Sequence, residues 1–229
     1  MLSVYRNEMK YWMSYEDALS LQGELQKLLE LDQYSQNGAY RVRSLYFDTI
    51  NNRDFTEKLD GVEKRRKIRL RIYDETADRA KFEIKEKNGN YQHKTSLWVT
   101  REEAKAIMEG DYGILLEHEE EAAARLYTML TLGMYSPVAL IEYDRLAFMY
   151  SEYNTRITFD SRVRSSELEL DLFSGDINWM PVIDGQVILE VKFNQVLIEP
   201  IKKVLEKYHL VNVSVSKYGN GRPLMQKYI

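Results

Sequence analysis

The chain contains no cysteine. That excludes a disulfide framework and thiolate metal sites, and it suits a reducing compartment. Histidine is almost as scarce: His93, His118 and His209 are the only three, and their spacing offers no imidazole metal site. Catalytic triads and glycine-rich phosphate loops are missing. Gly219-Asn220-Gly221 reads as a loop too short for a Walker motif. No stretch reaches the roughly 18 consecutive apolar residues of a membrane span, and the N-terminus lacks the basic and then apolar pattern of a signal peptide. An excess of positive charge is also absent, the formal net charge being -4, which argues against a general nucleic-acid binder. Together these absences lead us to expect a soluble, cytoplasmic protein with no membrane segment and no nucleic-acid partner.

Local charge tells a different story from the total. Lys64-Arg65-Arg66-Lys67-Ile68-Arg69-Leu70-Arg71 carries six basic side chains in eight residues. At period two, Lys67, Arg69 and Arg71 share one face and Ile68, Leu70 and Ile72 share the other. This is a strand with one apolar and one strongly cationic face.

Four segments read as helices. Ser14 with Asp17 starts the first, followed by Ala18, Leu21, Leu25, Leu28 and Leu29 at helical spacing. Thr100 with Glu103 forms a capping box for a second, reaching about Met108. Glu119-Glu120-Glu121 precedes a third that ends at Gly133, and a fourth runs from about Glu199 to Tyr208 with Pro200 in its first turn. Segments 40–48, 64–74, 80–87, 90–99, 138–149, 155–161, 166–173 and 186–193 read as strands. Asn88-Gly89 predicts a tight hairpin, and Asp184-Gly185 a turn before the last strand. Helices and strands do not alternate one for one, so a doubly wound parallel sheet is excluded. With no repeat, low-complexity tract or linker, residues 1–229 read as a single antiparallel α+β domain.

The charged-face pattern recurs. Lys81, Glu83, Lys85 and Lys87 oppose Phe82 and Ile84; Glu190 and Lys192 oppose Leu189, Val191 and Phe193; Arg156, Thr158 and Asp160 oppose Ile157 and Phe159. Glu167, Glu169 and Asp171 oppose three leucines, as a solvent face or as metal ligands. A half-wet antiparallel sheet explains such faces without function. The alternative is a closed barrel, which removes exposed edges and turns the charged faces inward. Inward cations need carboxylates or an anionic ligand, and Arg and Lys with a few Glu suit phosphates plus a divalent cation.

In order along the chain stand Arg6-Asn7-Glu8-Met9-Lys10-Tyr11, RLRIY, FEIK, EYDR, TRITFD, LEVKF and Ser216-Lys217-Tyr218. From about residue 5 to 220 this series resembles the VTC (vacuolar transporter chaperone) polyphosphate polymerase domain of the triphosphate tunnel metalloenzyme, or CYTH, superfamily. The resemblance implies a closed antiparallel eight-stranded β-barrel, or tunnel, with flanking helices. It implies a catalytic set of Arg69, Arg71, Lys85, Arg145, Arg156 and Glu190. Lys10, Lys94, Tyr143, Lys192, Ser216 and Lys217 would bind substrate, and Glu190, Glu83 and Glu8 would hold Mn²⁺ or Mg²⁺. The expected partners are ATP or another nucleoside triphosphate, and polyphosphate or triphosphate. The expected reaction moves the γ-phosphate of ATP onto a growing polyphosphate chain, whose ionised end needs no strong general base. A tripolyphosphatase or nucleoside triphosphatase of the same fold, and a polyphosphate-binding module without turnover, are the rival readings. The regulatory and export segments of eukaryotic members are not expected here.

Overall fold

The structure, a computed structural model, describes residues 6–89, 91–182 and 185–223. The chain opens with β1 (Arg6–Ser14), α1 (Tyr15–Leu25), β2 (Glu30–Leu31), β3 (Tyr40–Thr49) and α2 (Arg53–Leu59). It continues through β4 (Lys64–Ile72), β5 (Arg79–Asn88), β6 (Tyr91–Thr100), α3 (Arg101–Met108) and α4 (Glu121–Leu132). Last come β7 (Tyr135–Tyr150), β8 (Thr155–Ser166), β9 (Met180–Pro181), β10 (Gln186–Asn194), α5 (Glu199–Glu206) and α6 (Lys217–Asn220). None of the described helices is long and apolar enough to cross a membrane.

Two compact units form, each with its own core. The first gathers Met1–Arg41, Tyr143–Arg164 and Pro181–Ser216. In it β10 lies between β1 and β8, antiparallel to both. Alternation sends Leu189, Val191 and Phe193 to one face, where they pack with Tyr11, Ile157, Phe159, Leu21, Leu25 and Ile201. Helix α1 starts as its sequence dictates, with Ser14 Oγ accepting from Asp17 N at 3.0 Å. Helix α5 carries Pro200 in its first turn, where no helical donor is lost.

The second unit gathers Val42–Glu142, Ser165–Met180 and Lys217–Ile229. Here β3, β4, β5 and β6 pair in sequence order, all antiparallel. Leu45, Phe47, Ile68, Leu70, Phe82, Ile84, Leu97 and Val99 fill its core. Burying each such side chain contributes about 1.5–3 kcal/mol. The predicted capping box is present, with Thr100 N donating to Glu103 Oε2 at 2.6 Å and Glu103 N to Thr100 Oγ1 at 3.2 Å. Asn88 pairs with Tyr91, so the predicted hairpin forms, and Gly89 takes the left-handed φ of +59°. Gly133 ends α4 for a different reason: a Cβ there would sit 2.5 Å from the Tyr135 ring. The predicted turn at Asp184-Gly185 falls on Asp184, which lies outside the described residues.

Three expectations are corrected. The sheet is mostly antiparallel with flanking helices, as an α+β chain should be, but it is not a closed barrel. Its strand order, β1-β10-β8-β7-β3-β4-β5-β6, is a path with two ends rather than a ring. The edge of β1 that would close it is already engaged: Tyr11 bridges Asn212, and Val213 N donates to Lys10 O at 2.8 Å. Residues 167–173 are irregular, not strand. Their carboxylates are recruited locally, Glu167 by Arg222 Nε at 2.7 Å and Asp171 by the Phe173 N–H at 2.9 Å, and Leu168 is left 84% exposed. They are not the face of a strand. Gly219-Asn220-Gly221 is no open loop, because a Cβ on Gly221 would meet Ile141 Cδ1 at 2.6 Å.

Candidate functional site

In the first unit, strand register assembles the charges. Lys10 on β1 is the cross-strand partner of Glu190 on β10, and Glu8 that of Lys192. Lys10 Nζ lies 3.1 Å from Glu8 and 3.4 Å from Glu190. Lys192 Nζ lies 3.1 Å from Glu190 and 3.9 Å from Glu8. Two lysines therefore bridge two carboxylates, with Glu190 only 6% exposed. Burial alone would lower the Lys10 pKa, but Glu190 and Glu8 outweigh it and raise it.

Arg145 approaches the same carboxylate, its Nη2 standing 4.0 Å from Glu190 Oε2. It is held by Asp160, fully buried, through a bidentate pair of 2.6 and 2.7 Å. Burial acts to lower its pKa, yet Asp160, Tyr143 and Glu190 raise it well above the ordinary value. Its guanidinium also lies 5.2 Å from the centroid of the Tyr143 ring. Arg156 is the register partner of Lys192, but its Nη2 turns to Asp32 at 2.7 Å and Tyr40 at 3.1 Å. Its Nε is buried with no hydrogen-bond partner.

In the second unit the centre is Glu83. Arg69 meets it at 2.8 Å, Arg71 Nη1 at 3.9 Å, and Lys94 from the neighbouring strand in a short contact. Tyr46 OH takes a further bond from Arg69 at 3.1 Å, and Ser44 Oγ one from Arg71 at 3.2 Å. Lys67, Lys85 and Lys94 form one row across β4, β5 and β6.

Burial would raise the Glu83 carboxyl, but Arg69, Arg71 and Lys94 pull it down to about 2. Its ordinary value is about 4.3, so the stability it supplies is complete above that pH and is lost as pH falls toward 2. Unfolding of the wild type and of Glu83→Gln should therefore differ by on the order of 3 kcal/mol near pH 6. The gap should shrink below pH ~4 and close only at about pH 2 or below, in urea titrations run across that range. A gap independent of pH would rule out this account of Glu83.

The expected residues thus fall into two groups, each inside one unit. Glu8, Lys10, Arg145, Glu190 and Lys192 converge in the first; Arg69, Arg71, Glu83 and Lys94 converge in the second. Ser216, 5% exposed, belongs to the first unit, and Lys217 opens α6 of the second. Arg65 and Arg66 are engaged elsewhere, Arg65 by Val62 O at 2.7 Å and Arg66 near Asp54 at 3.8 Å. His93 falls on the opposite face from Lys94, with Glu86 and Arg125. The orienting residues Asp160, Asp32, Tyr46 and Tyr40 were not read from the sequence. Asp160 had a visible signal, sharing the Arg156–Thr158 face; Asp32, outside any regular pattern, had none.

Could the carboxylates hold a divalent cation? Glu8 and Glu190 offer hard oxygens joined through the same two lysines. Opposite Glu190 in register stands Thr158, whose buried Oγ1 has no hydrogen-bond partner. Among the described residues no group of three or more acidic or histidine side chains is suited to a metal. A cation here would meet two carboxylates at most, Glu8 and Glu190, both already engaged by Lys10 and Lys192, and phosphate oxygens would have to complete its shell.

No curated protein matches the chain by sequence. Among solved structures, a candidate adenylate cyclase from Bacillus halodurans superposes with a TM-score of 0.55 at 15% identity, covering 93% of this chain and 95% of that one. The PH1819 protein from Pyrococcus horikoshii gives a TM-score of 0.48 at 12% identity, covering 97% and 99%. At such identities the likeness to the Bacillus protein speaks for the fold alone. The model of the VTC domain matches residues 5–226, nearly the whole chain, and the chain belongs to the VTC domain family.

Proposed function

We propose that this protein is a metal-dependent phosphotransferase of polyphosphate polymerase type, moving the γ-phosphate of ATP onto a growing polyphosphate chain. The observation that carries the reading is the cationic face that register builds across β4, β5 and β6. Lys67, Arg69, Arg71, Lys81, Lys85 and Lys94 lie on it, and Arg69, Arg71 and Lys94 converge on Glu83. Arg69 and Arg71 offer paired donors to phosphate oxygens, and Lys85 and Lys94 act as point charges. Glu83 orients Arg69, Arg71 and Lys94 and holds them ready in the absence of substrate.

Glu190 and Glu8 are the residues that would hold Mn²⁺ or Mg²⁺, which when bound supplies neutralising charge to phosphate oxygens. Lys10 and Lys192 pair with both carboxylates and align them, and Asp160 aims Arg145 toward Glu190. No strong general base is needed, because the end of a phosphate chain is already ionised.

Incubation of the purified protein with ATP and Mn²⁺, with products resolved by size and charge, tests the reading. Long phosphate chains plus ADP are expected. Orthophosphate alone would identify a hydrolase, cyclic AMP a cyclase, and unchanged ATP with tight polyphosphate binding a module without turnover. Each of those three outcomes overturns the polymerase reading.

A further inference from the structure

Trp98 is 47% exposed, while its strand neighbours Leu97 and Val99 are buried in the core. The indole therefore sits on the cationic face and contributes little to packing. Its partner across β5 is Lys81, which in turn pairs with Arg71 on β4. Lys81 Nζ stands 5.3 Å from the centroid of the indole ring. The next row along the same face is Tyr46, Arg69, Glu83 and Ser96, and the one beyond holds Lys67, Lys85 and Lys94. Rows on one face are two residues apart, about 6.6–6.8 Å. An aromatic platform thus ends a graded strip: indole, ammonium and the Arg71 guanidinium, then Arg69 beside Glu83, then lysines. Small Ser96 separates Trp98 from Lys94 on β6 and leaves the intervening face open.

We infer that Trp98 is the stacking platform for the nucleobase of a nucleoside triphosphate, with Lys81 beside it to meet the first phosphate. The inference rests on the phosphate-binding role proposed for Arg69, Arg71 and Lys94. The sugar and first phosphate of a nucleotide span one such row, so a base on Trp98 delivers its outer phosphates to the arginine row. Every base offers a π-face, so stacking selects weakly among them. ATP and GTP should bind alike, and both more tightly than inorganic tripolyphosphate. Lys81 reinforces the arrangement, since its contact with the indole holds the ammonium at the ring edge while leaving it half in water.

The test compares binding of ATP and of inorganic tripolyphosphate, each with Mg²⁺, to the wild type, Trp98→Leu and Trp98→Phe by calorimetry. Trp98→Leu should weaken ATP about 5- to 150-fold, the effect of losing one base–aromatic stack, and leave tripolyphosphate unchanged. Trp98→Phe should keep most of the ATP affinity. ATP should also quench the tryptophan fluorescence of the wild type, and the quench should vanish in Trp98→Phe. Unchanged ATP affinity in Trp98→Leu overturns the inference while leaving the phosphate reading intact. Equal loss for both ligands also overturns it, because it marks Trp98 as structural. A wild type that binds neither ligand removes the phosphate reading itself.

Discussion

Glu190→Gln is expected to lower phosphoryl transfer by at least about 10²-fold while tripolyphosphate still binds. The side chain is 6% exposed, and glutamine matches its shape, so the fold should survive. What disappears is the negative charge between Lys10 at 3.4 Å and Lys192 at 3.1 Å. Without it, two ammonium groups face the site with only Glu8 to neutralise them, and anions should bind as well or better. The carboxylate proposed above to hold Mn²⁺ or Mg²⁺ is lost at the same time. Initial rates measured across a Mn²⁺ titration, alongside calorimetry with tripolyphosphate, separate the two effects. Wild-type turnover in the variant would remove Glu190 from the chemistry, and joint loss of turnover and anion binding would point to misfolding.

The largest loss of stability is expected from Arg43→Met. Arg43 is 2% exposed, and its Nε bonds Glu142, equally buried, at 2.5 Å. Its Nη1 donates to the carbonyls of Leu172 at 3.2 Å and Ser174 at 2.5 Å, and its Nη2 meets Glu75 at 3.2 Å. The guanidinium lies 5.3 Å from the Trp179 ring centroid. One side chain thus uses four of its five donors and pins the irregular 167–179 segment to β3. Removing it leaves Glu142 buried without its guanidinium, which costs about 3–5 kcal/mol. Replacing both partners with apolar groups should recover much of that, because no buried charge then stands uncompensated. Urea denaturation of Arg43→Met, Glu142→Leu and the double variant checks this. A double variant as unstable as the sum of the singles would show that the pair's electrostatics is not the cause.

How far could this have been read from the residues? Period-two alternation located seven of the eight expected strands, because a strand with one buried face repeats its apolar residues with little ambiguity. The same rule failed on Glu167–Phe173, whose alternation is real but whose carboxylates serve Arg222, Asn178 and a turn. Helix α2 was missed for want of a local signal. The side chain of its N-cap Asn52 makes no capping bond, and the capping is done at a distance by Asp48, which accepts from Asp54 N at 3.0 Å and Phe55 N at 2.9 Å. Strand β1 was seen only as a motif. For the site, alternation identified the charged faces, but the partner of each charge depends on strand order and register. That Glu83 would collect Arg69, Arg71 and Lys94, and Glu190 collect Lys10 and Lys192, follows from pairings between distant segments. Closure failed for a similar reason: nothing local to β1 says that Asn212 and Val213 will take its free edge.

That edge has a consequence for how the protein comes into being. Lys10 must wait for a segment some two hundred positions later before its carbonyl finds Val213, whereas β4, β5 and β6 are joined by short connections. During synthesis from the N-terminus, the hairpins of the second unit can settle on the ribosome while β1 stays unpaired and in need of protection. Non-local pairing of this kind is slow and exposed to aggregation. Vectorial production therefore reverses the written order: the beginning of the message yields the part of the molecule that is finished last.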